Sequence, residues 1–127
     1  MDQSFGKEYK LCSKILIDKL FQEGKRYRNF PFSISYLQGS FPFETPFQVL
    51  ISVPKRQFKK AHDRNYVKRC IREILRKNKD LIQNRQQPDN NKIVLSVVYN
   101  YNQLTTFVEM EQKLVKALQM LSSKLKQ

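Results

Sequence analysis

DRNYVKRCIRE, residues 63–73, sets Arg64, Lys68, Arg69 and Arg72 around Val67, Cys70 and Ile71 at helical spacing. At 100° per residue, Val67, Cys70, Ile71 and Ile74 fall on one side, while Asn65, Lys68, Arg69, Arg72 and Arg76 fan across the other. Arg64 and Leu75 lie at the border. One side is made to pack on a sheet, and the other is almost wholly cationic. Arg64, Lys68, Arg72 and Arg76 follow one another at intervals of four, a row that destabilises an isolated helix by about 0.2–0.5 kcal/mol per neighbouring pair. Mixed charges would serve solvent equally well without that cost, so the row argues for an anionic partner.

The flanking sequence strengthens that argument. Residues 55–77 hold ten Lys and Arg against Asp63 and Glu73, which places +8 of the chain's +13 in one segment. A phosphate backbone relieves such repulsion, and the forked guanidinium suits phosphate oxygens. Asn65, set among the cations, can donate and accept at a base edge or a 2′-hydroxyl.

Working outward, 127 residues suit a single domain spanning 1–127 with one core. LCSKILIDKLFQEG (11–24) predicts a helix capped by Ser13 and stopped by Gly24, with Leu16, Ile17, Leu20 and Phe21 on one side. NFPFSISYLQ (29–38) alternates Phe30, Phe32, Ile34 and Tyr36 with small residues, and FQVLISV (47–53) alternates Phe47, Val49, Ile51 and Val53; an antiparallel pair is expected. The basic helix is expected from about Lys60 to Asn78. After a polar loop at NRQQPDNNK (84–92), KIVLSVVYN (92–100) reads as a more buried strand. Thr106 and Glu109 offer a capping box for a last helix striped with Phe107, Leu114, Leu118, Leu121 and Leu125. The expected order is αββαβα, an α/β (α+β) two-layer sandwich.

Several functions find little footing. No apolar run approaches the ~18 residues that span a bilayer, and MDQSFGKEYK lacks the pattern of a signal peptide, so a soluble, cytoplasmic protein is expected. Cys12, Cys70 and the lone His62 assemble neither a disulfide framework nor a metal site, and both thiols are expected reduced and partly buried. No nucleophile motif or carboxylate pair stands out, so no catalytic residue and no metal ligand is assigned.

The run KRQFKKAHDRNYVKRCIRE (55–73) resembles the signature segment of the protein subunit of bacterial ribonuclease P: an Arg-Asn-x-x-Lys-Arg-x-x-Arg-Glu core after a strand ending in two basic residues. The resemblance extends to a first helix ending at Phe21 and Gly24, a strand containing Phe32, the ISVPKR strand end and the QLTT entry to the last helix. It implies a sheet with a left-handed βαβ crossover. It also implies a protein that assists a catalytic RNA, which performs Mg2+-dependent removal of the 5′ leader from precursor tRNA. The implied partners are that RNA, in a 1:1 complex with a monomer, and precursor tRNA. Arg64, Asn65, Lys68, Arg69 and Arg72 match the positions that contact the catalytic RNA, with Lys55, Arg56, Lys59 and Lys60 as the basic approach. Ile17 and Phe21, with Phe32 or Tyr36, are the matching candidates for a leader cleft between the first helix and the sheet.

Two positions depart from the family pattern. Tyr66 stands where many members have arginine, and Leu50 where many have glycine. Two other readings fit the charge alone: an RNA- or DNA-binding module with no processing role, and a membrane-surface protein. The apolar side of the basic helix carries no Trp or Phe, which disfavours the membrane.

Overall fold

The computed structural model describes residues 5–83 and 91–125. A single 3-10 turn at Lys7–Tyr9 precedes helix α1 (Lys14–Glu23), strands β1 (Lys25–Asn29), β2 (Phe32–Gly39) and β3 (Phe47–Ser52), helix α2 (Ala61–Lys77), a short α3 (Lys79–Ile82), β4 (Lys92–Tyr99) and α4 (Phe107–Leu125). Most of the 84–92 loop lies outside the described residues.

The strands form one sheet in the order β1-β2-β4-β3. β2 is antiparallel to both β1 and β4, whereas β3 runs parallel to β4. The expected antiparallel pairing of β2 with β3 is therefore wrong, because β4 lies between them. KIVLSVVY is the most apolar strand, with all but Lys92 and Val98 fully buried, and a strand apolar on both faces belongs in the middle of a sheet. Chain proximity favours pairing of consecutive strands, but burial decides this case. The β3–α2–α3–β4 path is then a crossover between parallel neighbours.

β1 was not anticipated. KRYRN has only one apolar ring, and its cations read as loop, yet it pairs in register with β2 from Lys25↔Tyr36 to Asn29↔Phe32. An exposed edge strand carrying Lys and Arg is protected against pairing with other chains. Phe30, expected inside a strand, instead sits in the β1–β2 turn, before Pro31 and after a change of direction, and is 63% exposed.

The two faces of the sheet are covered unequally. Phe32, Ile34, Tyr36, Phe47, Val49, Ile93, Leu95, Val97 and Tyr99 meet α2 and α4 in the main core. α2 contributes Val67, Cys70, Ile71, Ile74 and Leu75, and α4 contributes Met110, Leu114, Ala117, Leu118, Leu121 and Leu125. At about 1.5–3 kcal/mol per fully buried large aliphatic side chain, this layer dominates the gain in stability. This is the expected α/β sandwich. On the other face α1 covers a smaller cluster of Leu11, Leu20 and Val94, edged by Ile17, Leu37, Phe43 and Leu50.

Local signals explain the helix ends. The Leu16 N–H donates to Ser13 Oγ at 3.3 Å, and the Glu109 N–H to Thr106 Oγ1 at 3.1 Å, so both expected caps form. Gly24 is required by close approach: a Cβ there would strike Leu20 O and stand 3.0 Å from Tyr36 O. Asn78 ends α2 by donating its side-chain N–H to Ile74 O at 2.8 Å.

Candidate nucleic-acid interface

α2 turns its apolar side into the core and leaves Asn65, Lys68, Arg69 and Arg72 exposed, with Arg64 and Arg76 half-buried. The apolar side is as read from the sequence, and Leu75, placed at the border, is fully buried.

The row of like charges is not a row of equivalent groups. Arg64 Nη1 donates to Phe58 O at 2.7 Å and to Lys59 O at 3.1 Å, drawing the 53–60 loop onto the start of α2. Arg72 Nη2 donates to Phe5 O at 2.6 Å, and its guanidinium stands 5.3 Å from the Phe5 ring centroid, which fastens the N-terminal segment to the helix. Arg76 is paired with Glu73, 2.6 Å between Nη2 and Oε1. Arg76 thereby holds the Glu73 carboxyl below its ordinary range. Lys68 and Arg69 have no hydrogen-bond or ion-pair partner among the described residues. These two present their full charge outward, while Arg64 and Arg72 use only part of their five donors internally.

The loop before α2 is fixed in the same direction. Lys55, Arg56, Lys59 and Lys60 are all exposed. Between them Phe58 is buried, its ring 6.0 Å from that of Tyr99, and Gln57 Nε2 donates to Asn100 Oδ1 at 2.8 Å. One inward aromatic thus holds four cations outward beside the start of α2. Tyr66 lies half-buried against the core edge beside Cys70, whose thiol raises its pKa through a hydrogen bond. It shields the core edge at the position where the family pattern leads one to expect arginine.

The second candidate surface needs correction. Ile17 belongs to the cluster under α1, and Phe21, one turn on, is 42% exposed. Phe32 and Tyr36 do not join them. Both are buried in the main core on the opposite face, with Tyr36 5.8 Å from the Tyr27 ring. Strand alternation fixed which residues share a face, but not which helix that face would meet. The α1 face of β2 instead carries Ser33, Ser35 and Leu37, opposite Val98, Ser96 and Val94 of β4. Arg26 and Arg28 of β1 pair with Ser35 and Ser33 and so lie along the same face. Arg26 also donates to Phe21 O at 3.3 Å. Leu50, the other departure from the family pattern, is half-buried and adds an apolar wall there. The small polar spacing of FSISYL was the signal for this floor.

His62 is exposed at the start of α2, and no group of three His, Cys, Asp or Glu able to hold a metal ion occurs among the described residues. Cys70 is buried, whereas Cys12, expected to be partly buried, is exposed. No described helix is long and apolar enough to cross a membrane.

A basic helix seated on a mixed four-stranded sheet is also the arrangement that known proteins match. A sequence model of the family described as Ribonuclease P matches residues 5–122. The chain belongs to the ribonuclease P protein family. The ribonuclease P protein component of Porphyromonas gingivalis (strain ATCC 33277) is 31% identical over 117 residues, covering 91% of this chain and 85% of that protein. The ribonuclease P protein of Thermotoga maritima shares the fold with a TM-score of 0.69 at 24% identity, covering 87% of this chain and 96% of that one. That of Staphylococcus aureus gives 0.68 at 21% identity, covering 89% and 94%.

Proposed function

We infer that this chain is the protein component of a ribonuclease P complex, acting in maturation of the 5′ end of tRNA, and that it works by binding RNA. The observation that carries the reading is the outer face of α2, where Asn65, Lys68, Arg69 and Arg72 stand exposed in the arrangement Arg-Asn-x-x-Lys-Arg-x-x-Arg of a ribonuclease P family member. In this reading, Lys68 and Arg69 meet phosphates of the catalytic RNA as free charges. Arg64 and Arg72 offer their remaining donors from fixed positions, and Lys55, Arg56, Lys59 and Lys60 extend the contact. The RNA performs Mg2+-dependent hydrolysis, and the protein joins it as a monomer, one to one, in the cytoplasm.

The α1 face suits the single-stranded leader of precursor tRNA. Phe21 and Ile17 supply an aromatic and an apolar wall, the half-buried Ser33 a small polar patch beside the buried Ser35, and Arg26 and Arg28 a cationic margin. Rings accept bases without regard to sequence, and a cationic margin tracks the backbone. Crosslinking from a photoreactive 5′ leader in the assembled complex tests this assignment. Adducts at Phe21 or on β2 are expected; adducts confined to the α2 face would remove the leader from the α1 face.

A further inference from the structure

Between the N-terminal segment, the outer edge of β3 and the exposed side of α2 lies a cavity of about 260 Å3. Its rim carries four cations, Lys10, Lys68, Arg69 and Arg72, and no Asp or Glu lines it among the described residues. Its inner walls are apolar, formed by Val49, Ile51 and the rings of Phe5 and Tyr9. Those rings stack on each other at 5.1 Å, and Arg72 covers Phe5, so they present edges to the cavity. The volume is just under the ~300 Å3 at which pockets for drug-sized ligands begin. It suits a single nucleobase, with the sugar and phosphates left at the cationic rim.

The construction is rigid on both sides. Leu11 N–H donates to Val49 O at 2.9 Å, where Lys10 bridges β3, and Arg72 fastens Phe5 to α2. Past that bridge, Ile51 turns its peptide groups to the same outer edge as Val49, two residues on, and no further bridge covers them among the described residues. A backbone donor and acceptor therefore stand beside an apolar recess whose mouth is positive. An inorganic anion would use the rim alone, and an uncharged apolar molecule the walls alone. A nucleotide uses both.

We propose that this cavity receives one unstacked nucleotide of the bound RNA, with its phosphates at Lys10, Lys68 and Arg69 and its base between Val49, Ile51 and the edges of Phe5 and Tyr9. The inference rests on the RNA-binding reading and adds to it a pocket that needs the N-terminal segment as well as α2. The nucleotide comes from the catalytic RNA or from precursor tRNA, and the chemistry recognised is the same in either case.

The test titrates the full-length protein with adenosine 3′,5′-bisphosphate, adenosine and inorganic pyrophosphate, each followed through the backbone amide shifts of Lys10, Val49 and Ile51. The bisphosphate should bind saturably at this site, about tenfold more tightly than either half alone. Lys10→Ala should weaken it by roughly tenfold, the scale of one lost charge-assisted bond, without changing the melting temperature. Displacement of the bisphosphate by catalytic RNA or by a single-stranded leader oligonucleotide identifies the source. Pyrophosphate binding as tightly as the bisphosphate, a bisphosphate that leaves these amides unmoved, or displacement by neither RNA would overturn the pocket. If the protein still promotes cleavage in that event, only the pocket falls and the RNA-binding reading stands.

Discussion

Arg64 Nη1 lies 2.7 Å from the carbonyl oxygen of Phe58, so the first cation of the basic helix also holds the loop that precedes it. A residue readable as one phosphate ligand among several is thus part of the scaffold. Arg64→Ala should lower unfolding stability by about 1 kcal/mol, since a partly exposed charge-assisted bond falls at the low end of its range. It should also weaken RNA binding by displacing Lys55, Arg56, Lys59 and Lys60. Arg64→Lys keeps the charge without the fork and should recover only part of both losses. Denaturant unfolding and RNA titration on the same three proteins check this.

Lys68→Ala and Arg69→Ala should behave differently. Neither side chain has an internal hydrogen-bond partner among the described residues, so stability should stay within about 0.5 kcal/mol of the parent. The slope of log K against log salt for RNA binding should become shallower by roughly 0.7–0.9 per lost phosphate contact. An unchanged slope would return this face to solvent.

Phe21→Ala removes the half-exposed ring beside the serine floor. It should weaken binding of a leader-bearing precursor tRNA to the assembled complex by about 1–3 kcal/mol, the scale of one lost base stack. Binding of mature tRNA, which lacks the leader, should not change. Equal losses for both substrates would place the ring outside the leader path.

Tyr99 makes alkaline stability measurable. Burial holds its hydroxyl above the ordinary value near 10, with partial opposition from its bond with Thr105. The unfolded chain then releases this proton before the folded one does. Stability is full below about pH 10 and falls as pH rises beyond it, by up to about 1.4 kcal/mol per pH unit for this group. Tyr99→Phe should cost about 1 kcal/mol near neutrality through the lost 2.8 Å bond to Gln103 O. The variant should then lose less than the parent above pH 10. Urea unfolding across that range reads the crossing.

How much of this was legible in the sequence depended on the kind of order involved. α2 and α4 were readable because helical periodicity, Thr106 and the Val67–Ile74 stripe all point the same way. β1 was not, because Lys25, Arg26 and Arg28 hide a strand whose only apolar ring is Tyr27. The place of β4 depended on competition between strands for the centre, which no single segment records. Phe32 and Tyr36 were rightly grouped on one face, but the choice between α1 and the α2–α4 layer is made by tertiary packing. In the basic face the residues were legible and their division of labour was not. Tertiary contacts to Phe58, Lys59 and Phe5 separate Arg64 and Arg72, which brace the chain, from Lys68 and Arg69, which are free to meet phosphate.

The central claim is most directly tested by adding the purified protein to a cognate bacterial ribonuclease P RNA with precursor tRNA at low magnesium. The protein alone should leave the substrate intact, and RNA with protein should release the 5′ leader far faster than RNA alone. Lys68→Ala combined with Arg69→Ala should blunt that gain while the protein remains folded. Absence of any gain with the cognate RNA, or cleavage by the protein after nuclease treatment and repurification, would contradict the account.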